Sequence, residues 1–241
     1  MNYYSIIYFL QILLILYIIY LILHSTTREF YINHKNRKCF SSKMSKNEKS
    51  RYKELLKITF NILNKNNIDW IPVAGNLLAV HRNKSLFIKW DDDYDMVIKD
   101  TQINDALNLL KEQLPKHGVD IIYNRKYDNG KLYKISFTYE SKKYISNFNK
   151  YTWPFIDIFV DLAPYNNATT LHNLDNNEYP LVKKKIDGIT INIPSRGPRS
   201  YEAFKKEGFL DTCKEQNWVH SLEKSIPCTG KKEIPCNSLS E

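Results

Sequence analysis

The segment from Phe87 to Asp100, FIKWDDDYDMVIKD, constrains this chain more than any other, because it sets Asp91, Asp92, Asp93 and Asp95 almost side by side. Tyr94, Met96 and Ile98 alternate with Asp93, Asp95 and Val97, the period of a strand with one packed face and one working face. In such a strand Asp91, Asp93 and Asp95 project from one face at spacings of about 6.5–7 Å. Two unit charges at that distance repel by about 2.4 kcal/mol at an effective dielectric near 20, a large fraction of a domain's net stability. Something positive should therefore sit against the row.

The N-terminal segment narrows the class. From Ser5 to Leu23, SIIYFLQILLILYIIYLIL carries no charge. As a helix it would reach about 28 Å, close to the hydrocarbon thickness of a bilayer. Residues 5–23 thus read as one transmembrane helix; the run is longer than a usual signal-peptide core and lacks a clear small-x-small cleavage pattern. A polar, irregular linker follows over 24–45. With 241 residues and 43% apolar content, the remainder suffices for one good core. We expect a catalytic domain over 46–225 and a loosely held tail over 226–241.

Two signals disagree on orientation. Arg28, Lys35, Arg37, Lys38 and Lys43 follow the span with no charge ahead of it, which faces the domain to the cytosol. Sequons at Asn83 and Asn167 point the other way, but chance supplies such triplets in a chain this rich in Asn, Ser and Thr. Cys39, Cys213, Cys228 and Cys236 leave three readings open: a zinc site with His220, a disulfide near the C-terminus in a luminal domain, or reduced thiols in a cytosolic one. The net charge of +9 suits work near anionic lipid or on phosphorylated substrates. No basic block interleaved with aromatics appears, so no nucleic-acid partner is expected.

Along the domain, Tyr52, Leu55, Leu56, Thr59, Ile62 and Leu63 recur at helical spacing from Lys46 to about Lys65, with Ser45 and Glu48 as a capping box. DWIPVAG reads as a short strand ending at Gly75, and NLLAVHR as a helix starting immediately after it. Residues 101–116 read as a helix stopping near Pro115 and Gly118. VDIIY, KLYKISFTY and FIDIFVDL are strand candidates, the first two joined through an Asp128-Asn129-Gly130 turn. YPLVKKKI and ITINIP flank Asp187-Gly188, a strong hairpin signal, and RSYEAFKKEG reads as a short helix. Helices and strands mix without regular alternation, so the expected class is α+β around a small mixed sheet with flanking helices.

Three features share one explanation. Gly75 and Asn76 stand at a strand-to-helix junction, where free backbone N–H groups attract anions and glycine admits a phosphate close to the chain. Asp93 and Asp95 form a D-x-D pair, and Asp157 lies on a later strand. Two carboxylates from one face and a third from a neighbouring strand are suitable oxygen ligands for Mg²⁺ or Mn²⁺, which can bridge a nucleotide's phosphates. An acidic run more commonly forms a solvated turn, and Gly75 alone is an ordinary turn residue.

The stretch GNLLAVHRNKSLFIKWDDDYDMVI resembles the signature of the LicD/fukutin family, which pairs G-T/S-L-L-G-x-x-R with I-P-W-D-D-D-x-D. WPFIDIFVDL is similar to that family's second motif, and DGITINIPSRGPRSYEAFKKEGF to its later segment. The likeness runs in order over roughly residues 50–225. It implies a nucleotidyltransferase-like fold and a metal-dependent phosphotransferase that moves a phosphocholine- or ribitol phosphate-type group from a CDP-activated alcohol donor to a glycan hydroxyl. Carried onto this chain, it implies Gly75 and Asn76 in the phosphate-binding turn and Arg82 on the donor phosphate. Asp93 and Asp95 become the metal pair, Asp157 the third carboxylate and possible base in catalysis, and Asp91 a supporting acid. Eukaryotic relatives would place the domain in the ER or Golgi lumen. Asn76 stands where the family has a hydroxyl residue, Ala79 in place of a second Gly, and Lys89 in place of Pro. Trp90 reads as core packing, and His220 and Glu223 stay outside the main site. A metal-dependent nucleotidyltransferase or nuclease, a D-x-D glycosyltransferase and a catalytically silent membrane adaptor are the alternatives.

Overall fold

The computed structural model describes residues 8, 11–20, 37–124, 131–138, 143–145, 150–160, 180–195, 204–222 and 224–239. Residues 11–20 are helical and exposed, with large apolar side chains from Ile12 to Tyr20 facing outward. Among the described residues no helix is long and apolar enough to cross a membrane. The rest of the expected 5–23 span lies outside the described residues, as do the turn at 128–130, Asp161, Asn167 and Glu223.

Helix α1, Lys46–Lys65, begins where the capping box predicts. The Ser45 hydroxyl accepts from the Glu48 N–H at 3.2 Å, and Glu48 Oε2 accepts from the Ser45 N–H at 2.8 Å. Such a cap contributes about 1 kcal/mol. The stripe read in the sequence, Tyr52, Leu55, Leu56, Thr59, Ile62 and Leu63, is buried throughout, and Phe60 is buried with it. Strand β1, Trp70–Pro72, is followed by helix α2, Ala74–Leu78, which widens into a π-helical turn over Ala79–Asn83. Strand β2 is Asp95–Ile98 and helix α3 is Ile103–Gln113, ended by Pro115 and a left-handed Gly118.

Strands β3 (Val119–Asn124), β4 (Lys131–Phe137) and β7 (Phe155–Val160) complete a five-stranded sheet in the order β1-β2-β7-β4-β3; β5 (Lys143–Ile145) and β6 (Lys150–Thr152) form a side ribbon. β2 and β7 run parallel and the other pairs antiparallel, so the sheet is mixed and the fold α+β. β1 lies at the edge, the position at which a sheet tolerates Pro72. One face packs Tyr94, Met96, Ile98, Ile135, Ile156 and Ile158 against α1 and α3 in a single core. Strand alternation then commits Asp95, Asp157 and Lys134 to the opposite face. There the register places Asp157 beside Asp95 on one side and beside Lys134 on the other.

β8 (Leu181–Ile186) and β9 (Ile189–Pro194) form the predicted hairpin, with Asp187 and Gly188 both at positive φ, 51° and 79°. Of the helix read over RSYEAFKKEG, residues 204–208 are described: 204–206 are helical and 207–208 form a turn with Gly208 at positive φ.

Three expectations are corrected. The acidic row is not one strand: β2 starts only at Asp95, because Asp91 closes a turn by donating its N–H to Ile88 O and Asp92 turns its side chain away from the cavity. The linker does not extend to residue 45: Arg37, Phe40, Lys43 and Met44 are buried in the domain. The tail is not loosely held, since Glu233–Pro235 pairs as a strand with Thr212–Lys214, and disulfides join Cys39 to Cys228 and Cys213 to Cys236. All four sulfurs being spent in disulfides, the zinc reading is also set aside.

Candidate active site

A cavity of about 290 Å³ opens beside the start of α2. One wall is acidic, with Asp91, Asp93 and Asp95; His220 and Lys43 stand beside them, and Arg82 and Lys214 border another side. Leu78, Ile88, Trp90, Phe204 and Phe209 supply an apolar surround.

Asn76 braces the acidic segment. Its buried side chain accepts the Asp95 N–H through Oδ1 at 2.7 Å and donates Nδ2 to Asp93 O at 3.2 Å, so the D-x-D backbone hangs from α2. Gly75 leaves room for an acid: a Cβ there would meet Asp91 Oδ2 at 2.8 Å. β1 ends at Pro72 rather than at Gly75, so the two residues read as a phosphate turn lie in the first turn of α2, where one contacts backbone and the other a carboxylate.

Asp92 is fully buried and spends both oxygens. Oδ1 accepts from the His220 N–H at 3.2 Å and pairs with His220 Nδ1 at 3.1 Å, while Oδ2 accepts from the Ser221 N–H at 3.0 Å. His220 Nε2 reaches Asp93 Oδ2 at 3.0 Å, so the imidazole bridges two acids. Asp157 is likewise buried, and Lys134 Nζ donates to both its oxygens at 2.8 and 2.9 Å. Lys134 also lies 3.5 Å from the centre of the Phe155 ring. The positive charge demanded by the acidic row is thus supplied by His220 at one end and Lys134 at the other.

The charge balance remains strained. Burial pushes the Asp93 carboxyl up to about 6, with His220 pulling against it, and burial followed by the neighbouring Asp157 pushes Asp95 up to about 7. Asp91 is raised well above the usual carboxylate range by burial and then by Asp93. For Asp92 burial also raises, but the hydrogen bond from His220 and its charge outweigh it and leave that carboxyl below the usual range. Burial disfavours the charged His220 ring, yet Asp93 and then Asp92 overcome it and lift the imidazole to about 10. A divalent cation would relieve the crowding at Asp91, Asp93 and Asp95, and the oxygen-rich donor set fits Mg²⁺ or Mn²⁺.

Arg82 offers the complementary half. Nη1 donates to Phe209 O at 2.8 Å and Nε to Asn83 Oδ1 at 3.0 Å, while buried Nη2 has no hydrogen-bond partner among the described residues. Arg82 lines the cavity, and a buried guanidinium donor without a partner suits an anionic oxygen brought to it. Burial lowers the Arg82 pKa from its ordinary value. Trp90 is buried, donates Nε1 to Lys214 O at 3.0 Å and packs edge-on to Phe40, so it serves the core as read.

The structure therefore brings Asp91, Asp93, Asp95 and Arg82 to one cavity and sets Asp157 one strand beyond Asp95. Sequence reasoning missed Lys134 and the Asp92–His220 pair. Lys134 carried a signal, a charge on a strand whose alternation makes its neighbours Tyr133 and Ile135 face the other way. His220 had none, lying 128 positions from Asp92.

No family model and no curated protein matches the chain. Two solved structures share a loosely similar layout. A Thermotoga maritima protein described as a nucleotidyltransferase has 14% identity and a TM-score of 0.38, over 69% of this chain and 89% of that one. ANT(2″)-Ia, solved with adenylyl-2″-tobramycin, has 11% identity and a TM-score of 0.32, over 65% of this chain and 76% of that one. At these values neither likeness speaks for function.

Proposed function

We propose that the domain is a metal-dependent transferase of a phosphate-linked group, taking a phospho-alcohol from a CDP-activated donor to a glycan hydroxyl. One observation carries the reading: a single cavity is lined both by the Asp93–Asp95 pair and by Arg82, whose buried Nη2 has no hydrogen-bond partner among the described residues. Carboxylates for a cation and a buried donor for a phosphate oxygen are the two halves of a phosphoryl-transfer site. The identity of the donor rests on the LicD/fukutin-like motifs.

Asp93 and Asp95 would hold Mg²⁺ or Mn²⁺, which supplies charge neutralisation at the phosphates. Arg82 Nη2 donates to a phosphate oxygen, and its other nitrogens stay fixed on Phe209 and Asn83. Asn76 keeps the spacing of Asp93 and Asp95 by holding their backbone. Asp157, held through both oxygens by Lys134, stands beside Asp95 and supports it as the third carboxylate. The apolar walls from Leu78, Ile88 and Phe204 limit water around the reacting phosphate.

The full chain in detergent, given Mn²⁺, candidate glycans and a panel of CDP-alcohols and nucleoside triphosphates, tests this reading. Metal-dependent, acceptor-stimulated CMP release supports it. Pyrophosphate release with nucleotide attached to the acceptor would make the protein a nucleotidyltransferase, and transfer of a sugar without its phosphate would make it a glycosyltransferase. No turnover and no metal binding would leave a membrane adaptor. We further propose that the apolar N-terminal segment anchors the chain and that the domain faces an oxidising lumen, because cytosolic thiols are kept reduced and both cysteine pairs here are disulfides. Protease digestion of the domain in sealed vesicles, cytosolic face outward, would contradict that orientation.

A further inference from the structure

Asp92 is the one acid of the run that cannot serve a ligand directly, since three donors already occupy its two oxygens. What those bonds do is fix the His220–Ser221 backbone and one nitrogen of the His220 ring. The ring is further held between Phe155 and Trp218, whose centroids lie 6.2 and 6.3 Å away. The other ring nitrogen, Nε2, is thereby aimed at Asp93 Oδ2, 3.0 Å distant, and the side chain borders the cavity. A carboxylate that orients one imidazole nitrogen so that the other points at a metal position is the recurrent support of histidine ligands. His220 also clusters with Asp91 and Asp92, their polar atoms within 4.8 Å of one another, so the imidazole stands at the acidic segment itself.

We propose that His220 is a nitrogen ligand of the cation held by Asp93 and Asp95, with Asp92 as its positioning carboxylate. His220 Nε2, now 3.0 Å from Asp93 Oδ2, would offer its lone pair to the cation, with any proton it carries released to solvent. One nitrogen in an otherwise oxygen set shifts preference from Mg²⁺, which favours oxygen and water, toward Mn²⁺ and later transition metals. The inference rests on the cation site proposed above, and goes beyond it by naming a ligand outside the acidic motif and the metal class it selects.

The test is pulsed electron paramagnetic resonance of Mn²⁺ bound to the full chain in detergent, with calorimetric Mn²⁺ and Mg²⁺ titrations. Electron-spin-echo modulation from an imidazole ¹⁴N, replaced by the ¹⁵N pattern when histidine is ¹⁵N-labelled, is expected and needs no variant. In His220→Gln that modulation disappears and Mn²⁺ affinity falls about ten- to a hundredfold, while Mg²⁺ affinity changes less. Mn²⁺ binding that requires Asp93 and Asp95 but shows no nitrogen modulation would overturn the inference and leave the cation site standing. An unchanged Mn²⁺ affinity in a folded His220→Gln protein would overturn it equally. Mn²⁺ binding insensitive to Asp93→Asn and Asp95→Asn would overturn both.

Discussion

The two walls of the cavity are held by different physics. The sheet wall, which carries Asp95 with Asp157 on the neighbouring strand, is backed by fully buried Trp70, Tyr94, Phe155, Ile156 and Ile158 in the main core. Each such side chain contributes roughly 1.5–3 kcal/mol of burial, enough to hold uncomfortable charges in place. The rest of the lining is built from residues 37–43, 204–222 and 224–239, with very short strands and a small apolar cluster around Phe40, Trp90 and Phe204. It relies on two disulfides and a buried ion cluster in which Glu215 Oε1 meets Arg37 Nη2 at 2.7 Å and Lys43 Nζ at 3.6 Å. A wall with little core substitutes covalent and ionic ties for apolar burial, and here that wall supplies His220 and anchors Arg82 through Phe209.

If that contrast is right, substitutions on the two walls should fail in different ways. Asp95→Asn should lower turnover by at least about a thousandfold, roughly 4 kcal/mol of barrier, while the thermal midpoint stays level or rises as repulsion with Asp157 falls. Unfolding of that variant, seen by calorimetry, would break the comparison. Glu215→Ala strands Arg37 and Lys43 as buried cations and should cost about 3–5 kcal/mol in denaturant unfolding; a loss below about 1 kcal/mol would show that the ion cluster does not hold its wall. Reducing the disulfides should remove roughly 2–4 kcal/mol, with hydrogen exchange rising first in residues 37–43 and 204–239. Simultaneous exchange from β2 and β7 would mean that the walls are not separate.

The smallest effect concerns pH. Asp93 and Asp95 titrate near 6 and 7 in the folded chain, above the usual value near 4 of an unfolded carboxyl, so folding favours their protonated forms. Their contribution to stability is complete below about pH 4 and is lost as pH rises through 6 to 7. His220, lifted to about 10, loses its own contribution over the range from about 6.5 to 10, in the same direction. The metal-free midpoint should therefore fall by a few degrees from pH 5 to pH 8, and saturating Mn²⁺ should flatten the slope. A midpoint that climbs over this range would contradict the charge assignment.

Local patterns were legible in the sequence. The Ser45–Glu48 box placed α1, the Asp187-Gly188 pair placed the β8–β9 hairpin, and the alternation of Tyr94, Met96 and Ile98 identified the packed face of β2. Each depends on residues within a few positions of one another. The second wall depends on pairs far apart, such as Arg37 with Glu215 at a separation of 178 and Cys39 with Cys228 at 189, for which one sequence carries no pairing signal. The demand for positive charge against the acidic row was readable from electrostatics alone, whereas its sources, Lys134 and His220, required the fold. Asn76 was read as a group facing phosphate because its position resembled a binding turn; its amide instead meets the backbone of Asp93 and Asp95.

The central claim is that Asp93 and Asp95 grip a divalent cation at the cavity that Arg82 closes. Anomalous diffraction from crystals grown with Mn²⁺ and a CDP-alcohol tests it most directly. The account predicts one manganese peak about 2.2 Å from oxygens of both carboxylates, with a phosphate oxygen between it and Arg82. A donor seated elsewhere, or Asp93 still paired with His220 and no manganese beside it or Asp95, would contradict it.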